Sequence, residues 1–405
     1  MGRISSRGSL FQVGYPRLTL LLSAVGLFLS AWIVIPAPTL WLLPLGVGAP
    51  EISPGLLGYN AIALLLSLPS RKRSWLCRIA LGCSLLGLVL SALPLLQLPS
   101  TMARATTAMQ ATLGSGYMEK VPRELQAQMR PHPFVLAEVF TGIADSQVRH
   151  TSGVPFAVPD GVPLSLEIYR PISIGKYPTI VTLYGGSWQR GSPLNDAAFN
   201  RYMAARGYTV IAIDYRHAPQ YRFPAQLQDV QTALTFIRDH AKEYEVDSER
   251  IALLGRSAGA HLAMLAAYQK DAAPIKAVVS YYGPVDLVRG YADPPFPNPI
   301  NTNAVLEAFL GGSPKELPLL YQQASPISYV RPGLPPTLLV YGGHDHLVEA
   351  KYGQSLYQRL HNVGNTVIFL QIPWAEHAFD AIYSGISNQL ALYYTERFLA
   401  WALKQ

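Results

Sequence analysis

The chain has 405 residues, half of them hydrophobic, a formal charge of +7, two cysteines and a mean hydropathy of +0.18. That length accommodates one large domain and a further region, and the hydropathy is high for a water-soluble enzyme. The basic residues are dispersed, without the aromatic interleaving of a nucleic-acid surface, so no nucleic-acid partner is expected. Internal repeats and low-complexity tracts are absent from the sequence.

The apolar excess lies at the amino end. Between Arg17 and Glu51 there is no charged residue, and three uncharged runs follow one another at about 18–35, 52–69 and 79–98. A bilayer needs about 20 apolar residues at a rise of about 1.5 Å each, so residues 1–100 are expected to form a transmembrane region of three helices. The second run, broken by Pro54 and Gly55, spans least securely. A cleaved signal peptide is the alternative for the first run. Its length, the flanking Trp32 and Trp41, and the two further runs favour anchors instead. Arg3, Arg7 and Arg17 precede the first run, Arg71, Lys72, Arg73 and Arg78 lie between the second and third, and only Glu51 lies between the first and second. The positive-inside rule then sets the amino terminus in the cytoplasm and everything beyond Leu98 outside it, at a plasma membrane. If the second run does not span, the orientation reverses. Cys77 and Cys83 lie in or beside the third run, which leaves the rest of the chain without disulfide or thiol chemistry.

Residues 101–146, interrupted by Pro122, Pro131 and Pro133, read as a partly helical connector. From 147 to 405 short β-rich runs alternate with helical patterns, the signature of an α/β domain with a mainly parallel sheet covered on both faces. Strands are expected at 164–169, 179–183, 208–213, 251–254, 277–281, 337–341 and 367–371. Helices are expected at 199–206, 225–240, 258–268, 349–360 and 390–403. An edge hairpin is expected near Pro159, Asp160 and Gly161. Residues 285–332, rich in proline and then helical, interrupt the sheet pattern as a cap would. Tyr291, Phe296 and Phe309 there could line a pocket or form the cap's own core.

Gly255-Arg256-Ser257-Ala258-Gly259 follows the strand 251–254 and opens an alanine-rich helix, the strand-turn-helix context of a nucleophile elbow. Serine needs an imidazole to take its proton and a carboxylate to orient that imidazole. Downstream, Asp345 follows strand 337–341 and His377 follows strand 367–371, both at the carboxyl ends of strands, where such a sheet places its site. Asp286, after another strand, is the competing acid. Tyr184-Gly185-Gly186-Ser187-Trp188 follows strand 179–183, and Gly185, Gly186 and Ala258 are positioned to offer backbone N–H groups to an oxyanion. His344 and His346 flank Asp345 without a third spaced metal ligand, and His261 reads as a packed histidine. Arg256 could meet an anionic group, but reads better as the partner of a structural carboxylate. Asp214 and Arg216 read as a structural pair.

These stretches, together with Asp214-Tyr215-Arg216-His217-Ala218-Pro219, Pro335-Pro336-Thr337-Leu338 and His377-Ala378-Phe379, resemble the α/β-hydrolase esterases and lipases related to hormone-sensitive lipase and to acetyl- and feruloyl-xylan esterases. The resemblance runs from about Gln147 to Lys404 and does not extend to the first hundred residues. It implies Ser257 as nucleophile, Asp345 as acid, His377 as base, Gly185, Gly186 and Ala258 as the oxyanion hole, and no cofactor or metal. Where the family usually has histidine and a small residue, this chain has Tyr184 and Ser187, which bears on substrate shape. The expected function is membrane-anchored hydrolysis of a small-molecule ester, with a lipid or cell-envelope ester as the class that membrane placement suggests and a lipid bilayer as partner. An acyltransferase, a peptidase on the same triad and a non-catalytic binding protein are the alternatives.

Overall fold

The protein is described by a computed structural model covering residues 7–68 and 75–403. Arg3, Arg71, Lys72 and Arg73, on which the expected orientation partly rests, lie outside the described residues, as does Lys404.

Six helices come first: α1 (Arg7–Ala31), α2 (Leu43–Glu51), α3 (Ser53–Ser67), α4 (Trp75–Leu113), α5 (Arg123–Gln128) and α6 (Leu136–Thr141). The apolar run expected to be helical to residue 35 stops at Ala31, because the chain turns there ahead of Pro36 and Pro38. The helix expected at 79–98 is instead α4, 39 residues long, which continues through Pro94 and Pro99. Thus the first part of the expected connector is helix. Among the described residues, α4 is the one helix long and apolar enough to cross a membrane; the apolar parts of α1 and α3, Tyr15–Ala31 and Ser53–Ser67, are shorter.

The bundle of α1, α3 and α4 is polar inside and apolar outside. Ser23 and Ser84 are buried and hydrogen-bonded at 2.7 Å, and buried Asn60 donates to Ser30 Oγ at 2.8 Å. Asn60 fills the space left by Gly26 and Gly87, where a Cβ would lie 2.3 and 2.4 Å from its Oδ1. Leu21, Phe28, Ile62, Leu65, Leu85 and Val89 face outward. Water would favour the reverse arrangement.

The remaining chain alternates strand and helix: β1 (Arg149–Ala157), β2 (Leu164–Arg170), β3 (Tyr177–Leu183), α7 (Ala197–Ala204), β4 (Thr209–Ile213), α8 (Ala225–Asp239), β5 (Val246–Arg256), α9 (Ala258–Tyr268) and β6 (Ala277–Tyr281). A cap of α10 (Leu287–Ala292), α11 (Thr302–Leu310) and α12 (Pro318–Gln323) intervenes before β7 (Thr337–Gly342), α13 (Ala350–Asn362), β8 (Val367–Ile372) and α14 (Ile386–Leu403). The eight strands form one sheet in the order β1-β2-β4-β3-β5-β6-β7-β8, in which β2 runs antiparallel to both its neighbours, β1 and β4, and all other neighbouring strands are parallel. Every residue of β4, β6 and β7 is buried, so both faces are covered, and their sequences are accordingly continuous apolar runs rather than alternating ones. The edge hairpin expected near Pro159 is β1 and β2.

The carboxyl half of α4 leaves the bundle and packs on β8 and α14, burying Leu98, Ala105 and Met109 in the main core. A second junction is α2, which lies on α14. There Glu51, fully buried, accepts the Ser387 N–H in the first turn of α14 at 2.8 Å. Burial pushes its carboxyl up from 4.5 to about 8, although the bonds from Ser387 pull the other way. The folded state therefore favours the neutral acid, and its contribution to stability is full below the unfolded value and lost as pH rises toward the folded one. Glu51→Gln should remove that dependence: between pH 4.5 and 8 the wild-type melting temperature should fall relative to that of the variant. Parallel melting curves for the two proteins would overturn this account.

Candidate active site

The turn from β5 into α9 is possible only because two side chains are missing. A Cβ on Gly255 would sit 2.3 Å from the Gly259 carbonyl carbon, and one on Gly259 would sit 2.2 Å from the Leu183 oxygen of β3. Between them Ser257 adopts φ 50° and ψ −119°, a region non-glycine residues rarely occupy, and is held by its own N–H on Tyr281 O and by its carbonyl accepting the His261 N–H, both at 3.0 Å.

His377 Nε2 lies 3.0 Å from Ser257 Oγ, and its Nδ1 lies 2.8 Å from Asp345 Oδ2. Asp345 Oδ1 accepts the backbone N–H groups of Leu347 and Val348 at 2.8 and 2.7 Å, which fixes the carboxylate. Burial raises the Asp345 carboxyl above its ordinary value, opposed by His377 and by these amides. For His377, burial pulls the imidazole down but the Asp345 charge and hydrogen bond outweigh it, so it is raised above 6.5. The competing acid, Asp286, instead caps α10 by accepting the Arg289 N–H at 3.0 Å. A hydroxyl bonded to an imidazole that a fixed carboxylate orients is the arrangement that activates serine toward a carbonyl.

The turn after β3 presents Gly185 beside this serine: a Cβ on Gly185 would be 3.2 Å from Ser257 Cβ. Gly186 has φ +134°, and a Cβ there would be 2.0 Å from Arg190 O. Gly185, Gly186, Ser257 and His377 border one cleft, and Ala258, Ser257 and His377 border a second. Tyr184 is buried, with its hydroxyl donating to Asp214 and lying 2.9 Å from His217 Nε2, so its departure from the family pattern faces away from both clefts. Ser187 does face them. Trp188 stacks on Phe309 of the cap at 4.1 Å, and its Nε1–H donates to His261 Nδ1 at 3.2 Å. His261 in turn donates from Nε2 to Ala324 O at 2.6 Å, and burial pulls its pKa down to about 4, so it is a neutral packed histidine.

Several sequence expectations need correction. Asp214 and Arg216 do not pair: Arg216 binds Asp229 and Asp160, while Asp214 takes the hydroxyl of Tyr184. Of the three aromatic residues expected to line a pocket or form the cap's own core, Phe309 takes the core alternative, while Phe296 is 95% exposed and does neither, and Tyr291 packs on Tyr321. The cap pocket is lined instead by Leu287, Ile300, Val305, Leu306, Leu347 and Val348, among others.

Sequence reasoning missed the groups that brace Ser257, His377 and Asp345. Glu376 is buried and accepts the backbone N–H groups of His346 and His377 at 2.7 and 3.0 Å on one oxygen, while its other oxygen lies 2.6 Å from His346 Nδ1. It ties the loop of Asp345 to the loop of His377. Asp380 accepts both Tyr282 Oη and the Arg256 guanidinium, which also reaches Asp196 at 3.2 Å, and the Tyr282 ring lies 4.5 Å from His377. The available signal was acidic residues one before and three after the histidine.

Residues 166–360 match the BD-FAE family model. The chain is 26% identical to the probable carboxylic ester hydrolase LipM of Mycobacterium tuberculosis, over 87% of this chain and 83% of LipM. It is 28% identical to esterase LipQ of the same organism, over 60% of each. Its named relatives are carboxylic-ester hydrolases. The expected enzyme class is thus borne out, and the likeness to LipM is longer than residues 101–405 alone could supply, so the expectation that resemblance stops short of the first hundred residues is corrected. Esterase LipW of Mycobacterium marinum shares the fold, with a TM-score of 0.55 and 22% identity over 77% of this chain and 90% of that one.

Arg256 is the one cation joining two carboxylates beneath the serine. Removing one partner of a buried ion pair costs about 3–5 kcal/mol, so Arg256→Met should lower the melting temperature of the protein sharply. An unchanged melting temperature would mean that Asp196 and Asp380 do not depend on it.

Proposed function

We propose that the chain is a membrane-anchored serine esterase. The observation that carries this reading is the hydrogen-bonded series Ser257, His377, Asp345 at 3.0 and 2.8 Å. Ser257 Oγ attacks the ester carbonyl as His377 Nε2 takes its proton. The resulting oxyanion is met by the N–H groups of Gly185, Gly186 and Ala258, and collapse expels the alcohol, protonated by His377. Water, deprotonated by the same imidazole, then releases the acid from the acyl-serine. Asp345 holds the imidazole in the tautomer that presents Nε2 to the serine.

The anchoring reading rests on the apolar exterior and polar interior of the α1, α3 and α4 bundle, and on α4 as a spanning helix. With the amino terminus in the cytoplasm, the segment between α1 and α3 and the esterase domain packed on it fall on the extracytoplasmic side. A lipid or cell-envelope ester is the substrate this position suggests.

The deciding experiment is fluorophosphonate labelling of membranes that hold the wild type or Ser257→Ala. Labelling of the first and none of the second is expected; no labelling of folded wild type would leave a binding protein. Product transfer to an added alcohol in excess of hydrolysis would indicate an acyltransferase. Asp345→Asn should reduce turnover by about 10⁴-fold, whereas Asp286→Asn should leave it nearly intact; the reverse would move the acid. Because only neutral His377 accepts a proton, the acid limb of kcat/KM should lie above the ordinary 6.5 and shift down in Asp345→Asn. A limb unmoved by that substitution would exclude His377 as the titrating base.

A further inference from the structure

The two clefts that meet at Ser257 differ in kind. The cap pocket is the smaller of the two and mainly apolar, with residues of α10 and α11 along one side. The other, about 1540 Å³, is more open, with Arg190, Asp196, Arg256 and Asp380 along its polar side. An acyl group stays bonded to the serine until water arrives, while the alcohol must leave first to admit that water. The smaller, apolar pocket therefore suits a compact acyl part, and the larger, more open cleft the alcohol.

Part of the open cleft's wall comes from outside the esterase domain. Leu40, from the segment between α1 and α2, and Leu43, the first residue of α2, border it together with Ser257 and His377. Helix α2 holds them there. A Cβ on Gly46 would lie 4.0 Å from Glu376 Oε2 on the loop of His377, one on Gly48 would lie 3.6 Å from Ile382, and Glu51 is bonded to Ser387. The same segment carries no charge from residue 32 to residue 50 and exposes Val34, Ile35, Leu40 and, at 92%, Trp41. It leaves the bundle at Ala31 and rejoins it at Ser53, at the end where α4 departs for the sheet. In a bilayer that is the level of the headgroups, where an exposed tryptophan on an apolar segment is favoured.

We propose that residues 32–43 form a substrate portal: Val34, Ile35 and Trp41 seat in the interfacial layer of the bilayer, and Leu40 and Leu43 wall the path from that layer to Ser257. The substrate class follows, and rests on the esterase reading above. It is an ester whose alcohol part is the lipidic, bilayer-resident portion and whose acyl part is compact enough for the cap pocket.

The test uses the full chain reconstituted in phosphatidylcholine vesicles containing either hexadecyl acetate or methyl palmitate, two esters with the long chain on opposite sides, and water-soluble 4-nitrophenyl acetate as control. Wild type should cleave hexadecyl acetate at least about tenfold faster than methyl palmitate, and Trp41→Ser should lose about tenfold on hexadecyl acetate, the equivalent of one modest apolar burial, with 4-nitrophenyl acetate unchanged. Retained 4-nitrophenyl acetate hydrolysis with equal rates on the two lipids, or with Trp41→Ser indifferent to hexadecyl acetate, overturns the portal alone. No hydrolysis of 4-nitrophenyl acetate by wild type overturns the esterase reading and the portal with it.

Discussion

The site depends on a contact made by an absent atom. Gly259 brings the first turn of α9 against the Leu183 carbonyl at the end of β3, and Gly255 brings it against the end of β5. With helix and two strands that close, Ser257 has no room for ordinary dihedrals and is pushed out above the sheet. The same proximity sets Gly185, the residue two beyond Leu183, beside the serine. One steric fact thus places both the hydroxyl and the glycine turn, and a methyl at either position would push strand and helix apart.

Asp345 and His377 reach this serine from two separate loops, and a rigid sheet alone would not hold them. Strands β7 and β8 are neighbours in parallel register, so their carboxyl ends lie side by side and the loops after Gly342 and Ile372 start together. Glu376 then joins the loops by accepting an N–H from each. On the far side, Asp380 gathers Tyr282 and Arg256, which links the end of β6, the elbow itself and the loop of His377. The buried charges are balanced locally, as burial demands.

Much of this was legible in the sequence. The parallel strands announce themselves as continuous β-branched and aliphatic runs, and the elbow, Asp345 and His377 each follow such a run, so their convergence at one edge follows from the topology of the sheet. What was not legible depends on side chains meeting across long separations. Arg216 follows Asp214 closely in sequence, yet its partner is Asp229 on α8, while the Asp214 carboxylate is taken by the Tyr184 hydroxyl thirty residues away. Phe309 could not be told from a pocket residue, since only the position of Trp188 decides that its ring is covered. Glu376 looked like a linker residue. The continuation of α4 past two prolines was hidden because its later turns are small and polar, and their burial comes from β8 and α14.

The stack of Trp188 on Phe309 and the hydrogen bonds Trp188 to His261 to Ala324 fasten both flanks of the cap, α11 and the end of α12, to the turn after β3 and to α9. A swing of the cap would break a stack and strand two buried polar groups at once. The cap is therefore tied down on both flanks, and on the proposed reading the pocket beneath it would sort acyl groups by gauge, a chain fitting under a fixed ceiling or not.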